Sequence, residues 1–265
     1  MGRCADPTIT VLIPARNEAR NLEVVLPELP SVDQVVLVDG RSVDGTVDVA
    51  RRVLPSIETL TQTRTGKGNA LACGLAAARG DIVVMFDADG SADPKEIPAF
   101  VRVLVRGADF AKGTRFHPDG GSDDLTALRS AGNAALNGLT NLLFGTSFTD
   151  LCYGYNALWR DIVPRLDLPP TNLDTPRWGD GFEIEAVLHC RAAAAGLAIA
   201  EVPSVERPRI FGKTNLRTFA DGARVLRTIL VEYRRRLSRR HYGVSAPRSS
   251  RSHSISSSWR TSHRS

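Results

Sequence analysis

The sequence predicts an α/β protein with an open, mainly parallel sheet flanked by helices. Short apolar segments alternate with helix-length segments through the first half of the chain, which is the arrangement that right-handed βαβ units produce. The segment 82–86 is wholly apolar and is followed by Asp87 and Asp89. A continuous apolar run indicates a strand buried on both faces, and carboxylates at its end lie where open α/β sheets bind ligands.

The predicted elements follow one another in a regular order. Strands are predicted in the first half at 8–14, 34–38, 57–62, 81–87 and 109–114. Helices are predicted at 17–29, 45–53, 67–78 and from Pro94 onward, where proline suits the first helical position. The second half is less regular, with predicted helices at 125–144, 181–195 and 218–240 and a strand at 198–205.

Charge is unevenly spread along the 265 residues. The net charge is +5, but nine arginines and no lysine or acid lie between residues 234 and 265, so subtracting them leaves −4 for residues 1–233. We expect one folded domain at 1–233 and a basic, Arg- and Ser-rich tail at 234–265. The tail contains too few apolar residues to form a core, so we expect it to be disordered.

The cysteines and apolar runs predict a cytoplasmic protein. The four cysteines are far apart and form no CxxC pair, which argues against a zinc or redox motif. No apolar run approaches the roughly 20 residues that span a bilayer, and the N-terminus lacks the apolar core of a signal peptide.

Polar groups follow three of the predicted strands. Residues 14–18 follow the first strand, residues 39–46 the second, and Asp87 and Asp89 the fourth. Because the carboxyl ends of parallel strands meet at one edge, we expect these groups to line one pocket. Two adjacent carboxylates repel unless a cation lies between them, and oxygen ligands suit Mg²⁺ or Mn²⁺. The alternative is a solvated strand end rich in turn-forming residues.

The segment Thr65-Gly66-Lys67-Gly68-Asn69 opens the third predicted helix. Its glycines permit close backbone approach, and a helix N-terminus offers free N–H groups to phosphate. The alternative is that Gly66 and Gly68 form a plain turn, and that Asp44 only caps the helix predicted at 45–53. The glycines fit neither the dinucleotide-binding GxGxxG pattern nor the P-loop.

In their order along the chain, these motifs resemble glycosyltransferase family 2, and within it the dolichyl- or polyprenyl-phosphate mannosyltransferase-like enzymes. The motifs are Pro-Ala-Arg-Asn-Glu at 14–18, Val-Asp-Gly-Arg-Ser-Val-Asp-Gly-Thr at 38–46, Gly-Lys-Gly-Asn-Ala at 66–70 and Asp-Ala-Asp at 87–89. The resemblance continues through 113–116, Arg129, 150–155, 182–185 and 209–216, and covers roughly residues 8–230. It implies the GT-A fold and the inverting, Mg²⁺- or Mn²⁺-dependent transfer of a sugar from a GDP- or UDP-sugar.

The resemblance also implies a role for each matching residue. Pro14, Ala15, Arg16 and Glu18 match the segment that holds the base and the ribose. Asp39 matches the acid that hydrogen-bonds the base, and Lys67 lies in the loop that faces the nucleotide. Asp87 and Asp89 match the metal-binding pair on the diphosphate, with Asp89 also a catalytic residue. The arginines that match positions near the donor or acceptor phosphates are Arg115, Arg129 and Arg209, with Arg129 expected to be catalytic. A planar guanidinium grips phosphate oxygens in pairs.

The sequence also departs from the family pattern. Asp39-Gly40-Arg41-Ser42 replaces the usual Asp-Asp-Gly-Ser, Ser91 replaces a glutamine that follows the Asp-x-Asp pair in near relatives, and 150–155 lacks the usual Ser-Gly-Phe-Arg. The C-terminal membrane helices of many relatives are absent from the sequence. These differences predict a base, sugar or acceptor preference that departs from that pattern.

A polyprenyl phosphate is the acceptor that we expect first, and it requires no general base because it is already anionic. The alternative acceptor is a small phosphorylated or saccharide hydroxyl, which requires one. We expect Asp180 in that role, with Glu183, Glu185 and Asp150 as other candidates. The competing interpretation is that Asp180 caps a helix and Glu185 forms a structural ion pair.

Two other functions fit part of the pattern. A sugar-phosphate nucleotidylyltransferase would need a Gly-rich, Arg-containing loop after the first strand, which residues 14–18 lack. A catalytically silent nucleotide-binding protein would not need Asp87 and Asp89.

The basic end has two interpretations of its own. It either contacts anionic lipid at the inner face of the membrane or remains a solvated tail. Nucleic acid is not expected as a partner, because the tail has a single tryptophan and no fold to present it.

Overall fold

A computed structural model describes residues 3–123, 125–212 and 218–241. Its strands in this part of the chain are β1 Ile9–Ala15, β2 Gln34–Asp39, β3 Glu58–Thr61, β4 Ile82–Met85, β5 Phe110–Thr114, β6 Gly121–Ser122, β7 Asn156–Trp159, β8 Ile199–Pro203 and β9 Val205–Glu206. Its helices are α1 Ala19–Val25, α2 Thr46–Val53, α3 Lys67–Ala77, α4 Ile97–Val105, α5 Ala127–Phe144, α6 Val163–Leu166, α7 Ile184–Ala194 and α8 Thr218–His241.

The main sheet is mostly parallel, as the sequence predicts. Its order is β3-β2-β1-β4-β7-β5-β8, with β6 and β9 paired separately. β1 runs parallel to β2 and β4, and its last residue, Ala15, lies opposite Asp39 at the end of β2. The ends of β1, β2 and β4 therefore meet at one edge, where we expect the ligand site.

β7 is the strand that the sequence analysis misses. It lies antiparallel between β4 and β5, and all four of its residues are buried. A short strand buried on both faces lacks the polar–apolar alternation by which strands are recognised. Its antiparallel direction makes the sheet mixed at this point.

Helix α3 is buried on most of its circumference, with eight of its eleven residues buried. Small residues allow this close packing, because a Cβ added at Gly74 would lie 1.9 Å from a methyl carbon of Leu12 in β1. The helix is therefore pressed directly onto the central strand, and its N-terminus is fixed at the ligand-binding edge.

Several helices begin two or three residues later than the sequence predicts, and two of these differences lie near the carboxyl edge of the sheet. The first helix begins at Ala19 because Asn17 has a φ of 58°, a left-handed conformation that a helix does not continue through. The helix predicted from residue 181 begins at Ile184. Both displaced segments face the ligand-binding edge.

The predicted boundary at residue 233 falls inside α8, which continues to His241. A buried ion pair between Arg191 and Glu232, with Nη2 and Oε1 2.8 Å apart, attaches α8 to α7. Residues 242–265 lie outside the described residues, so disorder of the tail stays a prediction. Within the described ranges, no helix combines the length and apolarity needed to cross a membrane.

Candidate active site

A cleft of about 900 Å³ opens at the carboxyl edge of β1 and β4. Most of the residues that the sequence analysis singles out line it together, namely Pro14, Ala15, Arg16, Glu18, Lys67, Asp87, Asp89, Arg115, Arg129 and Arg209. Asp39 and Asp180 do not line the cleft. The motifs therefore converge in space, as the alternation of strands and helices predicts.

Lys67 lies between two carboxylates at the inner end of the cleft. Its Nζ is 2.7 Å from Oδ1 of Asp87 and 2.8 Å from Oε1 of Glu185. Burial disfavours the ammonium, but the charges of Asp87 and Glu185 outweigh it and hold the pKa of Lys67 above its usual value. The lysine is charged, and Glu185 forms the ion pair that the competing interpretation describes.

Gly154 lies directly over this ion-paired group. A Cβ at this position would lie 3.0 Å from Nζ of Lys67 and 3.1 Å from Oε1 of Glu185. The position between Tyr153 and Tyr155 therefore favours glycine, because any side chain there would press on the two charged groups.

Asp89 is held by two neighbours. Its Oδ1 accepts hydrogen bonds from the amide nitrogen of Ser91 at 3.0 Å and from the Ser91 hydroxyl at 2.7 Å. Its Oδ2 lies 3.3 Å from Nη1 of Arg209, and Arg209 also pairs with Glu18. Arg209 thus joins the segment after β1 to the Asp-x-Asp pair.

Arg115 is the most constrained of the expected phosphate-binding arginines. It donates to both carboxylate oxygens of Asp150, from Nε at 2.7 Å and from Nη2 at 2.9 Å. It also donates to Glu206 at 2.8 Å and lies over the ring of Tyr153. These contacts make Asp150 a fully buried structural partner rather than a base facing the cleft.

The start of α3 differs from the expected phosphate cradle. The amides of Gly68 and Asn69 donate to the carbonyls of Gly181 and Asp180, at 3.2 and 3.1 Å. A Cβ at Gly68 would lie 1.8 Å from the carbonyl oxygen of Gly179. The expectation of free N–H groups here is wrong for these two, because the glycines admit the backbone of 179–181 rather than a ligand.

Asp39 lies at the end of β2 and is buried. Both of its carboxylate oxygens accept from the amide nitrogen of Ser42 at 3.2 Å, which closes the turn after the strand. The next amide, of Gly40, donates to the carbonyl of Ala15 at 2.7 Å. Contact between Asp39 and a nucleotide base stays a prediction.

Asp180, the expected base, is held in a buried ion pair. It accepts from Nε of Arg64 at 2.7 Å and from Nη2 at 2.8 Å, and from the amide of Arg177 at 2.7 Å. Arg64 also donates to the carbonyls of Pro170 and Leu173. These bonds fix the segment 170–180 and point the Asp180 carboxylate away from the cleft, so this placement speaks against a role as base.

Two of the candidate acids, Glu183 and Glu185, line the cleft, and Glu185 is already paired with Lys67. Glu183 is held by other partners. Its Oε1 accepts from the amides of Gly179 and Gly181, at 3.1 and 3.3 Å. Its Oε2 lies 3.9 Å from Nε of Arg224 in α8. The carboxylate is fixed on one side and faces the cleft on the other.

The donor set at this edge fits a divalent metal that arrives with a phosphate ligand. Among the residues that the structure describes, no three His, Cys, Asp or Glu side chains are grouped to hold a metal. Mg²⁺ commonly uses one or two carboxylates and completes its shell with phosphate oxygens and water. Asp87 and Asp89 supply that number of carboxylates.

Part of the cleft lining is apolar, which the sequence analysis does not predict. Its apolar lining residues are Leu125, Leu128, Leu136, Phe182 and Val225. They come from α5 and the residues just before it, from α8 and from the loop before α7, which are distant in sequence. The sequence feature that could have predicted this apolar lining is the composition of α5, whose eighteen residues include one charged side chain, Arg129.

Comparison with known proteins adds independent findings. The family described as glycosyl transferase family 2 matches residues 10–166, which is more than half of the chain. An undecaprenyl-phosphate mannosyltransferase of Micrococcus luteus is 31% identical over 219 residues, covering 78% of this chain and 87% of the relative. An uncharacterized glycosyltransferase of Mycobacterium bovis is 37% identical over 111 residues, which span 42% of this chain and only 50% of the relative.

Solved structures agree with these matches. Glucosyl-3-phosphoglycerate synthase from Mycobacterium tuberculosis, in complex with Mn²⁺, uridine-diphosphate-glucose and phosphoglyceric acid, superposes with a TM-score of 0.66 at 25% identity. The match covers 86% of this chain and 80% of that one.

Proposed function

Because the chain belongs to glycosyltransferase family 2 and has the GT-A fold, we propose that it transfers a sugar from a nucleoside diphosphate sugar to a polyprenyl phosphate. The observation that carries this proposal is the polarity of the cleft. Its lining combines paired acids and cations with the apolar side chains of Leu125, Leu128, Leu136, Phe182 and Val225. An amphiphilic acceptor with an anionic head matches that mixed lining.

The donor occupies the inner end in this proposal. The segment 14–18 holds the nucleoside, and the diphosphate lies near Lys67, Arg209 and the Asp-x-Asp pair. A UDP-sugar is the first donor to test, because the Mycobacterium tuberculosis enzyme is described with uridine-diphosphate-glucose. A GDP-sugar is the alternative.

Asp87 and Asp89 are the residues that would hold Mg²⁺ or Mn²⁺. When bound there, the metal supplies Lewis-acid stabilisation of the departing diphosphate. Lys67 and Arg209 lie next to these carboxylates and stabilise the same negative charge, which grows as the sugar–phosphate bond breaks. The acceptor oxygen attacks from the opposite side of the sugar, so the anomeric configuration inverts.

The need for a base depends on the acceptor. A phosphate oxygen is already anionic and requires no proton removal. A hydroxyl acceptor requires a base, and we assign that role to Glu183 rather than Asp180 because Glu183 lines the cleft.

A small phosphorylated acceptor is the second candidate. The Mycobacterium tuberculosis enzyme is described with phosphoglyceric acid, and three arginines of this chain, Arg129, Arg207 and Arg224, line the same cleft. This candidate leaves the apolar lining without a function, so we rank it second.

The experiment supplies labelled UDP- and GDP-sugars with Mn²⁺ and either polyprenyl phosphate or 3-phosphoglycerate. We expect labelled product with the polyprenyl phosphate and its loss in Asp89→Asn. Asp161→Asn is the matched control. Asp161 is an exposed acid that does not line the cleft, and it pairs with Arg3. Product with 3-phosphoglycerate alone would replace the first proposal by the second.

The proposal also concerns the location of the protein and of its arginine-rich end. A polyprenyl phosphate is presented at a membrane surface, so we place the protein in the cytoplasm with residues 234–265 near the inner face of the membrane. Arg234 and Arg239 are exposed at the end of α8.

A further inference from the structure

The outer sides of α5 and α8 carry exposed leucines. These are Leu128 and Leu142 on α5 and Leu226, Leu230 and Leu237 on α8, and together they are named the α5–α8 face. Leu142 is 81% exposed, which is unusual for a large aliphatic side chain in a helix. Large exposed apolar areas on a protein surface mark interaction sites.

The exposed side of α5 has almost no polar character. Leu128 and Leu142 are fourteen residues apart, close to four helical turns, so they lie on the same side of the helix. The exposed residues between them are small and apolar, namely Ala131, Gly132, Ala134, Ala135 and Gly138. The opposite side contains Asn133, Asn137 and Thr140, which are buried. The polar residues thus face inward, and the apolar ones face outward.

Helix α8 repeats this arrangement next to α5. Leu226, Leu230 and Leu237 are four and seven residues apart and share one side, while Thr228 and Ile229 are fully buried on another. The two helices share one buried cluster, against which Leu136, Leu139 and Leu143 of α5 and Val225 and Tyr233 of α8 pack. In each helix, the exposed leucines lie on a different side from the fully buried residues.

Charge on this surface is positive. Arg227 and Arg234 are exposed beside the leucines of α8. Helix α5 contains no acid, and the acids of α8, Asp221 and Glu232, are paired with Arg224 and Arg191. A helix surface with exposed leucines and flanking arginines matches the boundary between acyl chains and anionic headgroups.

We propose that the α5–α8 face docks the protein on an anionic membrane, with the leucines in the acyl boundary and Arg227 and Arg234 among the headgroups. A second copy of the chain is the less favourable occupant, because it would bring the same arginines opposite one another. Leu128 also lines the cleft, together with Leu136 and Val225, so docking brings this part of the cleft lining to the lipid surface. The docking inference does not require the proposed acceptor.

The test measures flotation of the whole chain with vesicles of phosphatidylcholine alone or mixed with phosphatidylglycerol. We expect binding to the mixed vesicles that weakens with salt and is far lower on neutral vesicles. The double variant Leu142→Ser/Leu230→Ser should lower the affinity by about tenfold or more. Arg234→Gln should lower it by about fivefold.

Matched controls separate docking from general effects. Val24→Ser/Val105→Ser removes two exposed aliphatic side chains of α1 and α4, and Arg106→Gln removes an exposed cation at the end of α4. Both should bind vesicles like the wild type. Melting temperatures establish that every variant is folded.

Two results would overturn the inference. One is wild-type affinity of Leu142→Ser/Leu230→Ser for the mixed vesicles. The other is sedimentation as a dimer that the same double variant dissociates. Thermal stabilisation by UDP with Mn²⁺ is measured in parallel, so that failure to dock is distinguished from failure to bind the donor.

Discussion

Nζ of Lys67 lies 2.7 Å from Oδ1 of Asp87, so the first carboxylate of the Asp-x-Asp pair is already neutralised by a lysine. The second carboxylate is close to Arg209 in the same way, with 3.3 Å between Oδ2 of Asp89 and Nη1. A metal that binds alone must compete with both cations. A diphosphate that arrives with the metal gives each cation a new partner.

We therefore predict that Mn²⁺ binds weakly without nucleotide, and that Lys67→Met changes this. Removing the lysine should raise the affinity for Mn²⁺ alone by about tenfold or more, the size of a one-unit electrostatic effect, and should weaken binding of UDP. Electron paramagnetic resonance of free Mn²⁺ measures the metal affinity, and calorimetric titration measures the affinity for UDP. Lys95→Met, an exposed lysine outside the cleft, is the control.

Lys67→Met leaves the buried Glu185 and the partly exposed Asp87 without their cation, and we expect it to lower stability. The charge-balanced variant Lys67→Met/Glu185→Gln avoids this problem and should show the same change in Mn²⁺ binding. Unchanged Mn²⁺ affinity in both folded variants would contradict competition between the lysine and the metal.

A second prediction separates Asp180 from Glu183. Asp180→Ala leaves the buried Arg64 without its partner and should cost about 3–5 kcal/mol in the free energy of unfolding. Arg64→Met/Asp180→Leu should recover most of that loss. Below the melting temperature, both variants should keep kcat for a phosphate acceptor.

With a hydroxyl acceptor, Glu183→Gln should lower kcat by about a hundredfold or more, as loss of a general base does, with little change in melting temperature. Thermal unfolding and initial-rate kinetics measure the two effects separately. If Asp180→Ala is stable and inactive, the assignment must be reversed.

A third prediction concerns Gly154. An alanine there places its Cβ 3.0 Å from Nζ of Lys67 and 3.1 Å from Oε1 of Glu185, so Gly154→Ala should displace Lys67 and weaken donor binding. Calorimetric titration with UDP and Mn²⁺ measures the loss. Gly138→Ala is the control, because nothing lies within 4 Å of the added Cβ; in a helix interior it should stabilise the protein by about 0.5–1 kcal/mol. Equal donor affinity in both variants would show that Lys67 tolerates the added methyl group.

A fourth prediction concerns pH and the buried His189. Its Nδ1 lies 3.0 Å from the carbonyl oxygen of Leu151, and its Nε2 lies 3.0 Å from the Asn156 amide group. Burial, with Lys112 adding a smaller effect, lowers the pKa of His189 well below the usual 6.5. The folded state therefore holds this residue neutral, while the unfolded chain is protonated at acidic pH.

The sign follows from proton uptake. Between the depressed folded pKa and about 6.5, the unfolded state binds the extra proton, so stability falls as the pH falls, by up to about 1.4 kcal/mol per pH unit. Denaturant unfolding between about pH 7 and pH 5 measures this slope, which His189→Gln should reduce. His117→Gln, which alters a half-exposed histidine, should leave the slope unchanged. An unaltered slope in His189→Gln would assign the dependence to other groups.

The convergence of the strand ends could be predicted from sequence because it follows from direction alone. Parallel strands carry the residues after Ala15, Asp39 and Met85 to one edge whatever the side chains are. The partners of those residues could not be predicted, because pairs such as Lys67 with Glu185 or Arg64 with Asp180 join segments far apart in sequence. A carboxylate near a glycine-rich turn appears the same whether it faces a substrate or an arginine.

The apolar part of the cleft lining could not be predicted from the sequence, for a related reason. Leu128, Phe182 and Val225 each fit an ordinary helix or loop, and only the packing of α5 beside α8 brings them together. Likewise β7 was missed because Asn156, Ala157, Leu158 and Trp159 are all buried and show no alternation.

The position of β7 between β4 and β5 has a consequence for dividing the chain. Cutting between residues 123 and 125 would leave the backbone edge of β4 unpaired, along a strand whose residues Ile82–Met85 are all buried. An open edge of that kind invites aggregation. We therefore expect that the piece carrying residues 14–18, 39–46 and 87–89 does not fold on its own. The two pieces should regain solubility only when co-expressed, by strand complementation.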